Sequence, residues 1–375
     1  MASEMREYTV GELVVNFDRK RKPLSSGQRA KMKGSYPYYG ATGVFDYVNN
    51  YLFDGEYILL AEDGTVLTET GKPVLQRIHG KTWVNNHAHI LRNTGLVDFD
   101  YLYYLLENTP FSGAVTGAVQ LKISQANMNT VRVFIHTDKN DQRKIAEILR
   151  ALDSKIELNN KINDNLQQQA AAIYKSWFVD FSLAGKAEMV DSEIGKIPCG
   201  WRLYRLSEFL PVITGKKNAN VSSDKGAYPF FSCSQDFSWT DDYSFEGHAI
   251  LVAGNGDFNV KWYRGKFEAY QRTYVLIPYE ERYTSWLYYA VKYNLTKITS
   301  AARGSVIKFI TKGNLEDFAF VAPSDLCSCE IIDTFAAINR KIDCLTQENY
   351  RLAAIRDTLL PRLMSGEIDV SDINI

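Results

Sequence analysis

The 375-residue sequence lacks any apolar run near the ~18 residues a membrane-spanning helix needs. Its N-terminus, Met1-Ala2-Ser3-Glu4-Met5-Arg6-Glu7, has no apolar signal core. The five cysteines, Cys199, Cys233, Cys327, Cys329 and Cys344, are odd in number and form no Cys-x-x-Cys pair. That argues against a disulfide framework or a zinc site, and the expected location is a reducing cytoplasm. No two of the ten prolines are adjacent, so the Asn/Asp-Pro-Pro-aromatic motif of amino-methyltransferases is missing. There is no Gly-x-x-x-x-Gly-Lys-Ser/Thr phosphate loop and no Glu-x-Lys of the common metal-dependent nucleases. The formal net charge of −1 gives no overall bias toward nucleic acid, so any basic surface must be local.

What is present is a repeat. The chain is long enough for two to three domains, and at 45% hydrophobic and 23% charged residues its composition is that of a soluble globular protein. Gly34-Ser35-Tyr36-Pro37-Tyr38-Tyr39 recurs 192 residues on as Gly226-Ala227-Tyr228-Pro229-Phe230-Phe231. At the same offset, Gly55 through Gly64 matches Gly247 through Gly256. Tyr101-Leu102-Tyr103-Tyr104 answers to Trp286-Leu287-Tyr288-Tyr289 at offset 185, and Gly117 through Ser124 to Gly304 through Thr311 at offset 187. Shared order with slightly drifting spacing is what duplication followed by loop insertion produces.

Each half reads as mostly β. Tyr57–Ala61, Trp83–Leu91, Ala249–Ala253 and Ala269–Pro278 are rich in β-branched and aromatic residues and bounded by Gly, Asn and Asp. Short helices are expected at Phe99–Glu107 and Thr284–Tyr293, and most of the aromatics are assigned to core packing. Each half ends in a long segment of different character. Ile145, Leu149, Leu152, Ile156, Leu166, Ala170, Ile173 and Trp177 alternate in steps of four and three, with Asn159 and Asn163 filling two steps. At offset 186, Ile331, Phe335, Ile338, Ile342, Leu345, Leu352, Leu359 and Leu363 form the same seam, and Asn349 stands where Asn163 does. Two such seams in phase favour mutual packing over two independent amphipathic helices. A seam Asn costs stability and can fix register.

Two similar units in one chain tend to pack about a pseudo-two-fold axis, which would run the two helices antiparallel. A helix of about 38 residues spans roughly 55 Å, near the scale of one to two turns of B-DNA at roughly 34–36 Å each. A protein so built would read two short sequences separated by an unread spacer. The expected fold is α+β, two mostly-β domains separated by two long antiparallel coiled-coil helices. The expected boundaries are 1–140 for the first domain, 141–181 for the central helix and 182–200 for a linker. The second domain follows at 201–325, the C-terminal helix at 326–366 and a tail at 367–375.

Several strings resemble the specificity subunits of type I restriction–modification enzymes. Ile173-Tyr174-Lys175-Ser176-Trp177-Phe178-Val179-Asp180-Phe181 is similar to the end of their central helix. Ser192-Glu193-Ile194-Gly195-Lys196-Ile197-Pro198-Cys199-Gly200-Trp201 resembles the entry into their second recognition domain. Leu359-Leu360-Pro361-Arg362-Leu363-Met364-Ser365-Gly366-Glu367-Ile368 resembles their C-terminal signature. Tyr36 through Ala41 and Asn85-Asn86-His87-Ala88-His89 are of the same type. The Ile-Pro-x-Gly-Trp entry has no counterpart before the first domain, which begins at Tyr8-Thr9-Val10-Gly11-Glu12-Leu13. The resemblance implies a non-catalytic, double-stranded-DNA-binding subunit with two target recognition domains, docked to two methyltransferase subunits and, through the complex, to restriction subunits. No cofactor is expected in this chain; S-adenosylmethionine and ATP belong to the partners. A coiled-coil scaffold with duplicated peptide-binding domains is the rival reading.

The strongest charge signal is Arg19-Lys20-Arg21-Lys22, followed by Arg29, Lys31 and Lys33, and it offers phosphate contacts. In the second half, Asn255, Asp257, Asn259, Lys261 and Arg264 combine the amides, carboxylate and bases that read major-groove edges. The matching stretch of the first half, Glu62-Asp63-Gly64-Thr65, differs strongly in chemistry. Thr116 and Gln120 pair with Arg303 and Ser305 as a second set of equivalent loops. His87 and His89 would share a strand face, but no carboxylate or cysteine lies near them in sequence. They are assigned to packing or hydrogen bonding, and no metal site is expected.

Overall fold

The run Tyr57-Ile58-Leu59-Leu60-Ala61 is apolar throughout and buried at every position, as a strand covered on both faces must be. The computed structural model describes residues 4–117, 120–182, 188–300, 302, 304 and 308–373. By its contacts the chain divides into Met1–Leu158 with Glu348–Ile375, and Asn159–Gln347. The division passes through both long helices, so each unit keeps one half of each.

The first unit begins with β1 (Met5–Thr9), α1 (Val10–Leu13), β2 (Val14–Asn16), α2 (Ser26–Lys31), β3 (Lys33–Tyr39), β4 (Val44–Val48) and β5 (Phe53–Asp54). It continues with β6 (Tyr57–Ala61), β7 (Leu75–Ile78), β8 (Lys81–Val84), β9 (Ala88–Asn93) and α3 (Phe99–Asn108). After β10 (Val115–Thr116), β11 (Lys122–Ile123), α4 (Gln125–Asn129) and β12 (Arg132–His136), it runs into α5 (Lys139–Phe178). Two four-stranded sheets have the orders β2-β9-β6-β7 and β4-β3-β8-β5, and β1 pairs with β12.

The second unit opens with a hairpin of β13 (Met189–Ser192) and β14 (Gly195–Pro198), inside the stretch expected to be linker. Next come β15 (Trp201–Arg205), β16 (Val212–Thr214), β17 (Tyr228–Phe231), β18 (Ser238–Thr240), β19 (Phe245–Ala253), β20 (Val260–Ala269) and β21 (Thr273–Leu276). The unit closes with α6 (Thr284–Tyr293), α7 (Leu295–Thr299), α8 (Lys312–Glu316), β22 (Ala319–Pro323) and α9 (Ile331–Met364). Its six-stranded sheet has the order β16-β21-β19-β20-β17-β18.

The frames correspond element by element. β15 pairs with β22 as β1 pairs with β12, and β16-β21-β19-β20 repeats β2-β9-β6-β7. The parallel contact of β3 with β8 returns as β17 with β20. Gly34 and Gly226 open the repeated motif for one reason: a Cβ on either would overlap backbone of the neighbouring strand, at Asn49 and Thr240 respectively.

In both units one amphipathic helix ties the sheet to the long helices. In the first, Tyr101, Leu102 and Leu105 of α3 share a core with Ile145 and Leu149 of α5 and Leu360 and Leu363 of α9. In the second, Trp286 of α6 is packed with Tyr174 and Phe178 of α5 and Phe335 of α9. Each such side chain contributes about 2–3 kcal/mol on burial. The tie is also polar: the Tyr104 hydroxyl donates to Asp153 at 2.6 Å, and its counterpart Tyr289 donates to Asn339 at 2.8 Å. Arg356 completes the first of these with a 2.9 Å bond to Asp153. Arg356 with Asp153 in one unit, and Asn163 with Thr346 in the other, show the helix segments running antiparallel within each unit.

On the seam, Asn163 and Ile342 are buried, while Leu152, Ile156, Leu166, Ile338, Asn349 and Leu352 are half-buried. The first turns of α9 depart from the expected face. Ile332, Phe335 and Asn339 are the buried positions, and Ile331 and Ile338 flank them, because α6 packs there and Tyr289 claims Asn339. α9 starts at Ile331 rather than 326, since the Asp325 carboxylate accepts from the Cys327 and Ser328 amides in a turn. α5 ends at Phe178 rather than 181, where Phe181 takes a left-handed φ of 55°.

Candidate nucleic-acid interface

In the first unit a cleft of about 830 Å³ lies among Ser25, Arg29, Thr42, Asp63, Asn86 and His87. Its walls follow from local chemistry. Ser25 caps α2 by accepting from the Gln28 amide at 3.3 Å, with Gln28 reaching back to the Ser25 amide at 2.9 Å. Arg29 is held by Asp46 at 2.9 Å and by the Leu24 carbonyl at 2.6 Å, and it lies over the Phe45 ring. Asp46 also receives Lys33 at 2.6 Å; the Lys33 bond, the Tyr47 amide and Arg29 pull its carboxyl down to about 2. Between β8 and β9, the Asn85 side chain accepts from the His87 amide at 2.8 Å and shapes the turn. That turn presents Asn86 to solvent and sets His87 Nδ1 2.7 Å from Asp63.

The residues next in sequence to Asp63 and His87 belong to an ion network. Arg21 donates to Glu62 at 2.6 Å, to the Ala88 carbonyl at 2.8 Å and to the Asp18 carbonyl at 3.1 Å. Lys122 reaches Glu62 at 3.0 Å, and His89 bridges Asp18 at 2.6 Å to the Ile123 carbonyl at 2.8 Å. Burial opposes charge on all three acid–base groups, and their partners overcome it. His89 and the Ile90 amide hold Asp18 below its ordinary value, and Arg21 and Lys122 do so for Glu62. Asp18 and the Ile123 carbonyl raise His89. Asp18, Glu62 and His89 offer ligand atoms within 4.8 Å of one another. The carboxylates that sequence proximity did not supply to His87 and His89 are thus supplied by the fold. A metal ion there would have to displace Arg21 or Lys122, so the arrangement is an ion-pair keystone.

The second unit carries the same backbone bonds with other side chains. Glu62 N donates to the His87 carbonyl at 2.9 Å, and Gly254 N to the Arg272 carbonyl at 2.8 Å. Ile123 N bonds Glu62 O, and Ile310 N bonds Gly254 O, each at 2.9 Å. Where His89 meets Ile123, the Tyr274 hydroxyl donates to the Ile310 carbonyl at 2.9 Å. Thr214, Gly254 and Tyr274 replace Asp18, Glu62 and His89, and the keystone becomes a pocket of about 330 Å³ that Gln271 and Arg272 also line.

The residues singled out from the sequence fall into distinct groups. Arg19, Lys20, Thr116, Gln120 and Asp257 are exposed, and Asn255 is half-buried in a bridge to Phe309. Lys33 and Arg264 are largely exposed but paired, with Asp46 and Glu281. Arg21, Asn259 and Lys261 are turned inward. Asn259 donates to the Cys233 carbonyl at 2.8 Å. Lys261 donates to the carbonyls of Ser232 and Ser234, and burial lowers its pKa. These three polar groups serve the fold. Arg303 and Ser305 lie outside the described residues. Gln271 and Arg272 carry no motif of their own; the repeat, extended at offset 185, aligns them with Asn86 and His87.

Comparison with known proteins agrees with this duplicated frame. Residues 2–168 and 198–353 each match the type I restriction modification DNA specificity domain. The EcoDI specificity subunit of Escherichia coli is 38% identical over 178 residues, 46% of this chain and 40% of that protein. A putative specificity subunit of Haemophilus influenzae is 33% identical over 40% of this chain and 38% of its own length, so the chain matches under half of either relative. The MjaIX specificity subunit of Methanocaldococcus jannaschii is 23% identical over 83% of this chain and 79% of its own. The crystal structure of a type I restriction–modification S subunit from M. genitalium shares the fold, with a TM-score of 0.62, 16% identity and 96% of each chain covered. With two matched copies spanning most of its length, the chain belongs to the type I restriction–modification DNA specificity domain family.

Proposed function

We propose that this chain is the DNA-reading specificity subunit of a type I restriction–modification enzyme. Each unit reads one half of a split double-stranded site, and the spacer between the halves goes unread. The long helices set the spacer length and, with nearby surface, dock two methyltransferase subunits, through which restriction subunits join. The chain itself is non-catalytic and cytoplasmic in this reading. Adenine methylation from S-adenosylmethionine and ATP-driven translocation and cleavage belong to the partners.

The observation that carries the proposal is one backbone frame built twice with different chemistry on equivalent loops. Glu62-Asp63-Gly64-Thr65 and Gly254-Asn255-Gly256-Asp257 share their hydrogen bonds and not their side chains. Two different half-sites require that combination, since specificity comes from groups presented to base edges and not from the frame beneath them. A scaffold for one repeated peptide partner would keep the loops alike.

The test is reconstitution with the methyltransferase subunits followed by sequencing of the modified bases. The expected product is methylated adenine in a two-part motif with a fixed gap. Modification at an ungapped motif, or methylation by this chain alone with S-adenosylmethionine, would refute the proposal.

A further inference from the structure

The turn that joins β8 to β9 and the turn that joins β20 to β21 are anchored by equivalent backbone bonds at both ends. Asn85 N bonds the Tyr39 carbonyl at 3.1 Å, and Tyr270 N bonds the Phe231 carbonyl at 2.9 Å. Two residues on, the carbonyls of His87 and Arg272 accept from Glu62 and Gly254. Between these fixed points stand Asn86-His87 in one unit and Gln271-Arg272 in the other, all four exposed. A turn pinned at both ends positions its side chains well without using them for its own stability.

The chemistry of the two turns differs where the frame does not. His87 is held by Asp63 at 2.7 Å, and Asn86 is left to solvent beside the first cleft. In the second unit, residue 254 must be glycine, because a Cβ there would overlap the Arg272 carbonyl and crowd the Tyr274 ring. The carboxylate that Glu62 supplies in the first unit is therefore absent. Among the described residues, the guanidinium of Arg272 and the side-chain amide of Gln271 make no hydrogen bond or ion pair, while the Gln271 backbone N–H donates to the Lys217 carbonyl at 2.9 Å. Both line the 330 Å³ pocket with Thr214 and Tyr274. By contrast, the side-chain nitrogen of Asn259 and the ammonium of Lys261 donate to backbone carbonyls, and Asn259 is buried.

We infer that Gln271 and Arg272 are the base-reading pair of the second unit, and that Asn86 with the Asp63-held His87 is its counterpart in the first. The inference rests on the proposed reading of a split DNA site. An arginine fork matches the O6 and N7 acceptors of guanine, and a glutamine or asparagine amide matches N6 and N7 of adenine. The half-site of the second unit accordingly contains a guanine contacted by Arg272. A phosphate contact would need only a cation at this position, so a lysine there would serve it as well as an arginine does.

The full chain in complex with its methyltransferase subunits would be presented with a randomised duplex library, and bound sequences read for the unsubstituted protein and for R272A, R272K and Q271A. The expected result is a two-part motif in which R272A loses preference for one guanine, in one half only, by about tenfold or more, and R272K, which lacks the planar fork, recovers only part of it. R272K keeps the charge and the exposed position, so it separates base reading from phosphate binding and from misfolding. Uniform weakening by R272A across all sequences, restored by R272K, would mean a phosphate contact and overturn the inference. So would an unchanged two-part motif in both variants. Absence of any two-part motif from the unsubstituted complex overturns the proposed function, and this inference with it.

Discussion

Arg21→Ala separates a fold-holding arginine from a DNA-holding one. The Arg21 side chain is 15% exposed, and its partner carboxylates on Glu62 and Asp18 are 13% and 9% exposed. Truncation removes the 2.6 Å bond to Glu62 and leaves the Ala88 carbonyl without the guanidinium that reaches it at 2.8 Å. Breaking a buried pair by deleting one partner costs about 3–5 kcal/mol. Here Glu62 retains Lys122 and Asp18 retains His89 and the Ile90 amide, so the expected loss is nearer 2–3 kcal/mol. For a domain of this size that is a drop of roughly 5–10 °C in Tm. Arg19→Ala and Lys20→Ala, from the same basic run, should leave stability unchanged. The assay is thermal unfolding with amide exchange read at β9, alongside DNA affinity as a function of salt. Each lost phosphate contact lowers the slope of log K against log salt by about 0.9. Arg21→Ala should leave that slope alone. A variant with wild-type stability and a slope reduced by about one would sink the keystone argument and make Arg21 a phosphate ligand.

The same cluster predicts a pH window. His89 has its pKa raised in the fold, so its contribution is complete below the ordinary 6.5 and fades as pH rises through the folded value. Asp18 and Glu62 are lowered, so theirs is complete above 3.8 and 4.5 and fades as pH falls through the folded values. The contribution of this cluster to the denaturation midpoint should therefore be complete between about pH 4.5 and 6.5, and the fall on the alkaline side should shrink in His89→Gln; an alkaline fall unchanged by the substitution refutes the assignment. Asn163 is 8% exposed and donates to Thr346 at 3.3 Å, and among the described residues its side-chain oxygen has no partner. Asn163→Leu should raise stability by about 1–2 kcal/mol in urea unfolding, and a loss would show that the seam amide is better satisfied than its geometry indicates. Gly226→Ala should cost several kcal/mol, about as much as Gly34→Ala, because both place a methyl group inside a neighbouring strand; tolerance of either would contradict the close approach.

The strand runs, the helix seams and the duplication were legible because they are local or periodic. Tyr57–Ala61 declares a buried strand by composition, and the four-three spacing of α5 declares its face, whatever surrounds them. The repeat was legible because identical frames need the same residues at the same steps, Gly34 and Gly226 among them. The family likeness in the C-terminal strings followed from the same kind of local reading.

Which polar groups remain available to a partner was decided by the tertiary structure. Arg19, Lys20 and Arg21 are adjacent in sequence, yet Arg21 alone is tied to residues 41 and 67 positions away. Asn259 and Lys261 looked like loop readers until their amide and ammonium groups met carbonyls 26 and 29 residues back. Gln271 and Arg272 carry no motif, and they became candidates only when the shared backbone bonds aligned them with Asn86 and His87. Periodicity sets which way a side chain points from its own backbone, and that much a sequence contains. Pairing of charges and amides depends on distances between segments far apart in the chain, and those exist only once the chain has folded.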